Sequence, residues 1–241
     1  MTVPHDAHGD VAVLVPAAGL GLRLGGGTPK ALRLLAGESL LAHALRRVLA
    51  APSVGCVVVA APPGAELGPL AGLGPLAGLG TSAGSVTVVP GGATRQASVA
   101  AALAAVPERY QIILIHDAAR ALAPTVLIES VAAQVRAGRH AVIPVLPVVD
   151  TVKEVSADGQ VVGTVDRSVL RAVQTPQGFR RAVLAAAHAA ATGEHTDDAG
   201  MVEKLGVPVH TVPGDLTAFK ITQPLDLLLA EALLAGRTLA S

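Results

Sequence analysis

Aromatic side chains are nearly missing from this sequence, which holds two Phe, one Tyr and no Trp in 241 residues. Its core must therefore be built from Ala, Val, Leu and Ile, and ring platforms on which nucleic-acid bases stack are essentially excluded. Net charge is missing as well. Lys plus Arg and Asp plus Glu each total 18, so no broad basic field draws in a nucleic acid, and any phosphate site must be local with a small ligand. The single cysteine, Cys56, rules out a disulfide framework, and its place in the apolar run 54–60 reads as a buried, inert thiol. No run reaches the about 18 uninterrupted apolar residues of a membrane span, and the N-terminal MTVPHDAHGD has no apolar signal core. A cytoplasmic protein with no membrane partner is expected.

What is present is 51% hydrophobic. That is enough for one large α/β domain or two small ones, and a single domain over 1–241 is the preferred reading. The stretch 11–30, VAVLVPAAGLGLRLGGGTPK, organises the rest. Residues 11–15 are short, apolar and rich in β-branching, as in a buried parallel strand, and Pro16 closes them. Ala17, Ala18, Gly19, Leu20 and Gly21 then offer backbone N–H groups with little side chain in the way. Arg23 supplies a planar fork of donors and Lys30 a compact charge, a pair suited to a polyphosphate. A dinucleotide fingerprint fails at Leu24 and lacks an acid after the second strand, where Ala60, Ala61 and Pro62 stand. A Walker A loop fails because Lys30 lies between Pro29 and Ala31. The remaining readings are a nucleotidyltransferase-type phosphate loop and an ordinary glycine loop with solvated cations.

Along the chain, a helix is expected over 40–49 with His43, Arg46 and Arg47 on its wet side, then a strand over 54–61, the rhythm of a βαβ unit. GPLAGL occurs twice, at 68–73 and 74–79, and reads as a low-complexity loop within 62–85. A strand over 86–89 leads into the turn PGGATRQAS and a helix over 99–105, where Ser98 either reads a pyrimidine edge or caps the helix. The strand 112–115 ends in His116, Asp117 and Arg120, polar residues where parallel sheets place ligands. Asp117 orients a metal or hydroxyls, or else caps a helix; His116 reads as a packed side chain. A helix over 124–137 and a strand over 141–145 follow. Residues 148–155 and 161–165 alternate around Ala157-Asp158-Gly159, a hairpin excursion over about 147–170 that needs another surface, a twin subunit being the simplest. Thr151 and Arg167 lie at its base. Beyond Thr175-Pro176-Gln177, helices are expected over 180–191, from Thr196-Asp197-Asp198, and over 224–234, with strands at 207–212 and 219–222. Thr196 reads as an N-cap or a ligand contact, and Lys220 as a cleft lysine or an edge-strand gatekeeper.

Taken in order, PAAGLGLRLGGGTPK at 16–30, GGATRQASV at 91–99, IHDAAR at 115–120, DTVK at 150–153, VDR at 165–167, TPQ at 175–177, TDDAGMVE at 196–203 and FKITQPLDL at 219–227 resemble the 2-C-methyl-D-erythritol 4-phosphate cytidylyltransferase family over nearly the whole chain. The resemblance implies an α/β, Rossmann-like nucleotidyltransferase fold, a mostly parallel sheet flanked by helices, with a protruding β-arm through which two subunits clasp. It implies transfer of CMP from CTP to 2-C-methyl-D-erythritol 4-phosphate. By the same resemblance Arg23, Lys30 and Lys220 are catalytic cations, and Ala17, Ala18, Gly19, Gly92 and Ser98 receive CTP. The acceptor contacts fall on Asp117, Arg120, Thr151, Arg167, Thr175 and Thr196, those on the arm reaching a neighbouring subunit. Mg2+ is implied on the CTP phosphates, with Asp117 nearby and no dedicated metal ligand. Ala93, where relatives often carry a polar residue, and the GPLAGL loop depart from the family pattern. A phosphate monoester is about nine-tenths doubly ionised at neutral pH, so the attack requires positioned cations and no general base. The competing readings are a pentitol-phosphate cytidylyltransferase using, for instance, ribitol 5-phosphate, and a non-catalytic nucleotide-binding module.

Overall fold

A computed structural model describes residues 9–19, 29–62, 85–193 and 195–236. Arg23 and both GPLAGL copies lie outside the described residues. The chain runs β1 (Val11–Pro16), β2 (Leu34–Leu35), β3 (Glu38–Ser39), α1 (Leu40–Leu49), β4 (Val54–Ala61), β5 (Ser85–Pro90), α2 (Arg95–Ala104), β6 (Ile112–Ile115) and α3 (Thr125–Arg136). It continues through β7 (Ala141–Pro147), β8 (Val152–Val155), β9 (Val161–Val165), β10 (Arg171–Val173), β11 (Gln177–Arg180), α4 (Arg181–Ala190), α5 (Asp198–Lys204), β12 (Val209–Pro213) and α6 (Pro224–Leu234).

The main sheet has the order β10-β7-β11-β6-β1-β4-β5, with β12 also paired to β7. β1 lies between β4 and β6, parallel to both, and β5 extends the parallel half beyond β4. Its burial explains its composition. Val11, Val13 and Val15 pack against one face with Leu41, Leu45 and Val48 of α1 and Ile128, Val131 and Val135 of α3. Ala12 and Leu14 point the other way, into a core with Val99 and Leu103 of α2, Leu184 of α4 and Val202 of α5. Alternate residues thus serve opposite helical layers, and each fully buried Val or Leu contributes about 1.5–3 kcal/mol. Tyr110 and Phe179 are among the largest buried side chains.

Strand β11 runs antiparallel between β6 and β7. Gly178 makes room for this insertion, since a Cβ there would meet Val131 Cγ1 at 2.6 Å and Leu114 Cδ2 at 2.9 Å. The hairpin β8–β9 forms a two-stranded sheet of its own. It leaves the main sheet after β7 and returns through β10, antiparallel to β7. Val155, Val161 and Val162 on this arm are 52–64% exposed.

Four local expectations are corrected. His43 is buried on α1, its Nε2 2.8 Å from the Leu35 carbonyl, because the β2–β3 turn folds over that side of the helix. Helix α2 begins at Arg95, capped by Thr94 Oγ1, which accepts from Ala97 N at 3.0 Å; Ser98 is inside the helix and is not its cap. The cap of α5 is Asp197, accepting from Gly200 N at 3.0 Å, and not Thr196. Residues 219–222 form no strand: Ile221 N donates to Ala119 O at 2.8 Å, a single tether without a ladder.

Candidate active site

The carboxyl ends of β1, β4, β5 and β6 share one edge of the sheet because the four strands are parallel, and a cleft of about 730 Å³ opens there. One side is formed by Ala17, Ala18 and Gly19 after β1, with Lys30 brought alongside by its N–H bond to Gly19 O at 3.2 Å. The turn after β5 forms another. Gly91 N donates to Ala61 O at 2.7 Å, and a Cβ on Gly91 would meet Ala18 Cβ at 2.5 Å, so only glycine lets the two turns approach this closely. Ser98 Oγ accepts the Gly92 N–H at 3.1 Å and donates to Thr94 O at 2.9 Å, fixing the turn from below. The far side carries Asp117 after β6, with Lys220 and Thr222 from the segment before α6. That segment is secured by Asp226, whose Oδ2 accepts from Thr222 N, Thr222 Oγ1 and Gln223 N at 2.7–2.9 Å, closing a capping box at the start of α6.

The charged groups form one connected line. Lys220 Nζ lies 2.7 Å from Asp117 Oδ2, and Arg95 Nε lies 3.3 Å from Asp117 Oδ1. Arg95 Nη1 is 2.6 Å from Oδ2 of the fully buried Asp198, whose Oδ1 is 3.0 Å from His188 Nε2. Burial opposes ionisation of Asp117, but the Arg95 and Lys220 cations outweigh it and hold the carboxyl well below the usual carboxylate range. Burial likewise disfavours the Arg95 charge, and Asp198 and Asp117 reverse that, leaving its pKa raised. Behind this line, Thr175 Oγ1 accepts the Asp117 N–H at 3.0 Å and its hydroxyl faces His116 Nδ1 at 3.2 Å. His116 is buried, which pulls its pKa down to about 4, so the ring is neutral at pH 7. Because the Thr175 oxygen already accepts from Asp117 N, its hydroxyl is assigned as the donor to Nδ1, which fixes the tautomer.

A family model described as 2-C-methyl-D-erythritol 4-phosphate cytidylyltransferase matches residues 11–236. The chain belongs to this family. The 2-C-methyl-D-erythritol 4-phosphate cytidylyltransferase of Frankia casuarinae is 55% identical over 225 residues, covering 93% of this chain and 81% of the relative. That of Nocardia farcinica is 52% identical over 232 residues, covering 96% and 97%. Among solved structures, the cytidylyltransferase from Thermus thermophilus is 40% identical with a TM-score of 0.74, covering 93% of this chain and 98% of that one. The mixed, mostly parallel sheet is thus the Rossmann-like nucleotidyltransferase fold of the cytidylyltransferases.

Of the residues the resemblance to these cytidylyltransferases pointed to, Ala17, Ala18, Gly19, Lys30, Gly92, Ser98, Asp117 and Lys220 line the one cleft. Arg120 and Thr175 stand behind its wall. Arg120 Nη1 donates to Ala218 O at 2.7 Å and Nη2 to Val173 O at 3.0 Å, while Thr175 is 5% exposed. Thr151 and Arg167 belong to the exposed arm, where Arg167 donates to Val149 O, and Thr196 is exposed ahead of α5. Arg95, Thr94 and Thr222 also line the cleft and were given no role from sequence. From sequence, α2 is expected to start at 99; begun at Arg95, it puts a cation at its first position against the helix dipole, and something else must hold it there. Among the described residues no group of three or more His, Cys, Asp or Glu is arranged to hold a metal ion, and no helix is long and apolar enough to cross a membrane.

Proposed function

We propose that this chain transfers the CMP moiety of CTP to 2-C-methyl-D-erythritol 4-phosphate in the cytoplasm, forming 4-diphosphocytidyl-2-C-methyl-D-erythritol and pyrophosphate for non-mevalonate isoprenoid synthesis. The observation that carries the reading is one cleft, in a chain of this family, lined by Lys30 beside the turn after β1 and by Lys220 bonded to Asp117 after β6. Two cations so placed suit a site for two phosphate-bearing substrates.

The acceptor's phosphate oxygen, already ionised, attacks the α-phosphorus of CTP. A new P–O bond forms, the bond from the α-phosphorus to its bridging oxygen breaks, and pyrophosphate leaves with the electron pair. No proton is removed in this step, so the chain needs no base. Lys30, together with Arg23, holds the triphosphate and neutralises charge on the departing pyrophosphate, while Lys220 orients the attacking phosphate. Backbone at Ala17, Ala18, Gly19 and Gly92 receives the cytidine, and Ser98, whose hydroxyl is spent on Thr94 O, acts by shaping the Gly92 turn. Among the described lining residues Asp117 is the one carboxylate, and Arg95 and Lys220 already bond both its oxygens, so Mg2+ would be held mainly by the nucleotide's own phosphate oxygens, with Asp117 nearby and no dedicated protein ligand. When bound, Mg2+ supplies further neutralisation of the phosphate charge.

The chain is read as one nucleotidyltransferase domain over 1–241, with the excursion at about 147–170 as a dimerisation arm. Support for a homodimer comes from the arm's exposed Val155, Val161 and Val162, which a second copy would cover. Thr151 and Arg167 on that arm, with Arg120, Thr175 and Thr196, complete the acceptor side, Arg120 and Thr175 by supporting its wall. The test is pyrophosphate release from purified protein with CTP, Mg2+ and either 2-C-methyl-D-erythritol 4-phosphate or ribitol 5-phosphate. Release with the first acceptor in preference to the second supports the proposal. Preference for the pentitol phosphate, or CTP binding without turnover, defeats it.

A further inference from the structure

Arg95 and Asp198 are 103 positions apart and make the shortest contact in the line of charges behind the cleft. Local helix structure disfavours the first and does not account for the burial of the second. Arg95 occupies the first position of α2, where a cation is unfavourable by about 0.3–1 kcal/mol. Asp198 occupies the first position of α5 but leaves the capping to Asp197, and its side chain is wholly buried. A carboxylate taken out of water this completely persists only with partners on both oxygens. Asp198 has them, with Arg95 on Oδ2 and His188 on Oδ1. The guanidinium is therefore fixed from behind, and its Nε is presented to one oxygen of Asp117. That leaves the other oxygen for Lys220. Lys220 sits on an irregular segment with a flexible four-carbon stem, so the position of its ammonium depends on what receives it.

We propose that Arg95, anchored on Asp198, is a positioning residue: it holds Asp117 in the orientation that receives Lys220 at the cleft. The inference rests on the cytidylyltransferase reading for its kinetic consequences, while its geometric core does not. Asp117 is faced by Arg95 from α2, by Lys220 from the segment before α6, and by Arg120 and His116 from its own stretch of chain. Removing the Arg95 charge takes away one of the two cations bonded to Asp117. Protonation of Asp117, and with it the release of Lys220, then occurs at higher pH.

The chain has four lysines, Lys30, Lys153, Lys204 and Lys220. After reductive 13C-methylation, which preserves charge, Lys220 is assigned by its loss in Lys220→Arg and its signal reports its surroundings without turnover. In Arg95→Gln the Lys220 signal should move to the position of a solvated lysine. In the pyrophosphate assay, kcat should fall about tenfold or more with KM for CTP within about twofold. Arg95→Lys, which keeps the charge without the fork, should recover part of kcat. If Arg95→Gln does not fold because Asp198 is stranded, Arg95→Gln/Asp198→Asn removes both buried charges and must show the same changes. A folded variant with an unmoved Lys220 signal overturns the inference, as does wild-type kcat. An inactive wild-type protein defeats the cytidylyltransferase reading instead, and the spectrum still decides this one.

Discussion

His116 sets a pH limit on the fold. It is 1% exposed, with Nδ1 accepting from the Thr175 hydroxyl, and its pKa falls from 6.5 to about 4. In the unfolded chain the ring protonates near pH 6.5; in the fold it stays neutral until about pH 4. Between those values the unfolded state binds more protons, so stability falls as pH falls, and the full difference is about 3 kcal/mol. About 2 kcal/mol of this is already lost between about pH 7.5 and about pH 5. His116→Gln keeps a carbonyl to accept from Thr175 and cannot titrate. Urea unfolding of both proteins at the two pH values isolates the effect, because every other titrating group is common to them. Wild type should lose about 2 kcal/mol more than His116→Gln over this range. Equal losses would show that His116 is not held neutral, and the hydrogen-bond assignment behind Asp117 would fall with it.

Lys30→Ala and Lys220→Ala should each lower kcat by ~10²-fold, the loss of one transition-state charge contact, as measured by pyrophosphate release. Gly91→Val forces a branched side chain toward Ala18 and should weaken CTP binding about tenfold in calorimetry, since overpacking costs about 1–3 kcal/mol. Asp226→Ala removes the capping box at α6 together with the bonds to Thr222, and should cost about 1 kcal/mol in urea unfolding. Val155→Glu/Val161→Glu places charge on the exposed face of the arm and should shift sedimentation from dimer to monomer.

The parallel half of the sheet and the cleft walls were legible because their signals are local. An apolar run ending in proline or in polar residues marks β1 and β6, and parallel strands put Ala17 and Asp117 at the same edge whatever lies between them. β11 was not legible: Gln177-Gly178-Phe179-Arg180 is four residues with a glycine inside, and only Val131 of α3 and Leu114 of β6, both crowding the place of its Cβ, show why that glycine is a strand residue. Phe219 to Thr222 alternates as a strand would, yet the tether from Ile221 to Ala119 leaves it no neighbour to pair with along its length. His43 reads as a polar residue on a helix surface until the β2–β3 turn covers it. The support behind Asp117 was the furthest from view, because Arg95, Asp198 and His188 acquire meaning only from one another, across three helices.

The central claim is that acceptor phosphate attacks the α-phosphorus of CTP within this one cleft. Incubating the protein with Mg2+, 2-C-methyl-D-erythritol 4-phosphate and CTP labelled with 32P at either the α or the γ position tests it directly. Label from the α position should appear in the diphosphocytidyl product, and label from the γ position only in pyrophosphate. Transfer of γ label to the acceptor, or no α label in any acceptor-derived product, would contradict it.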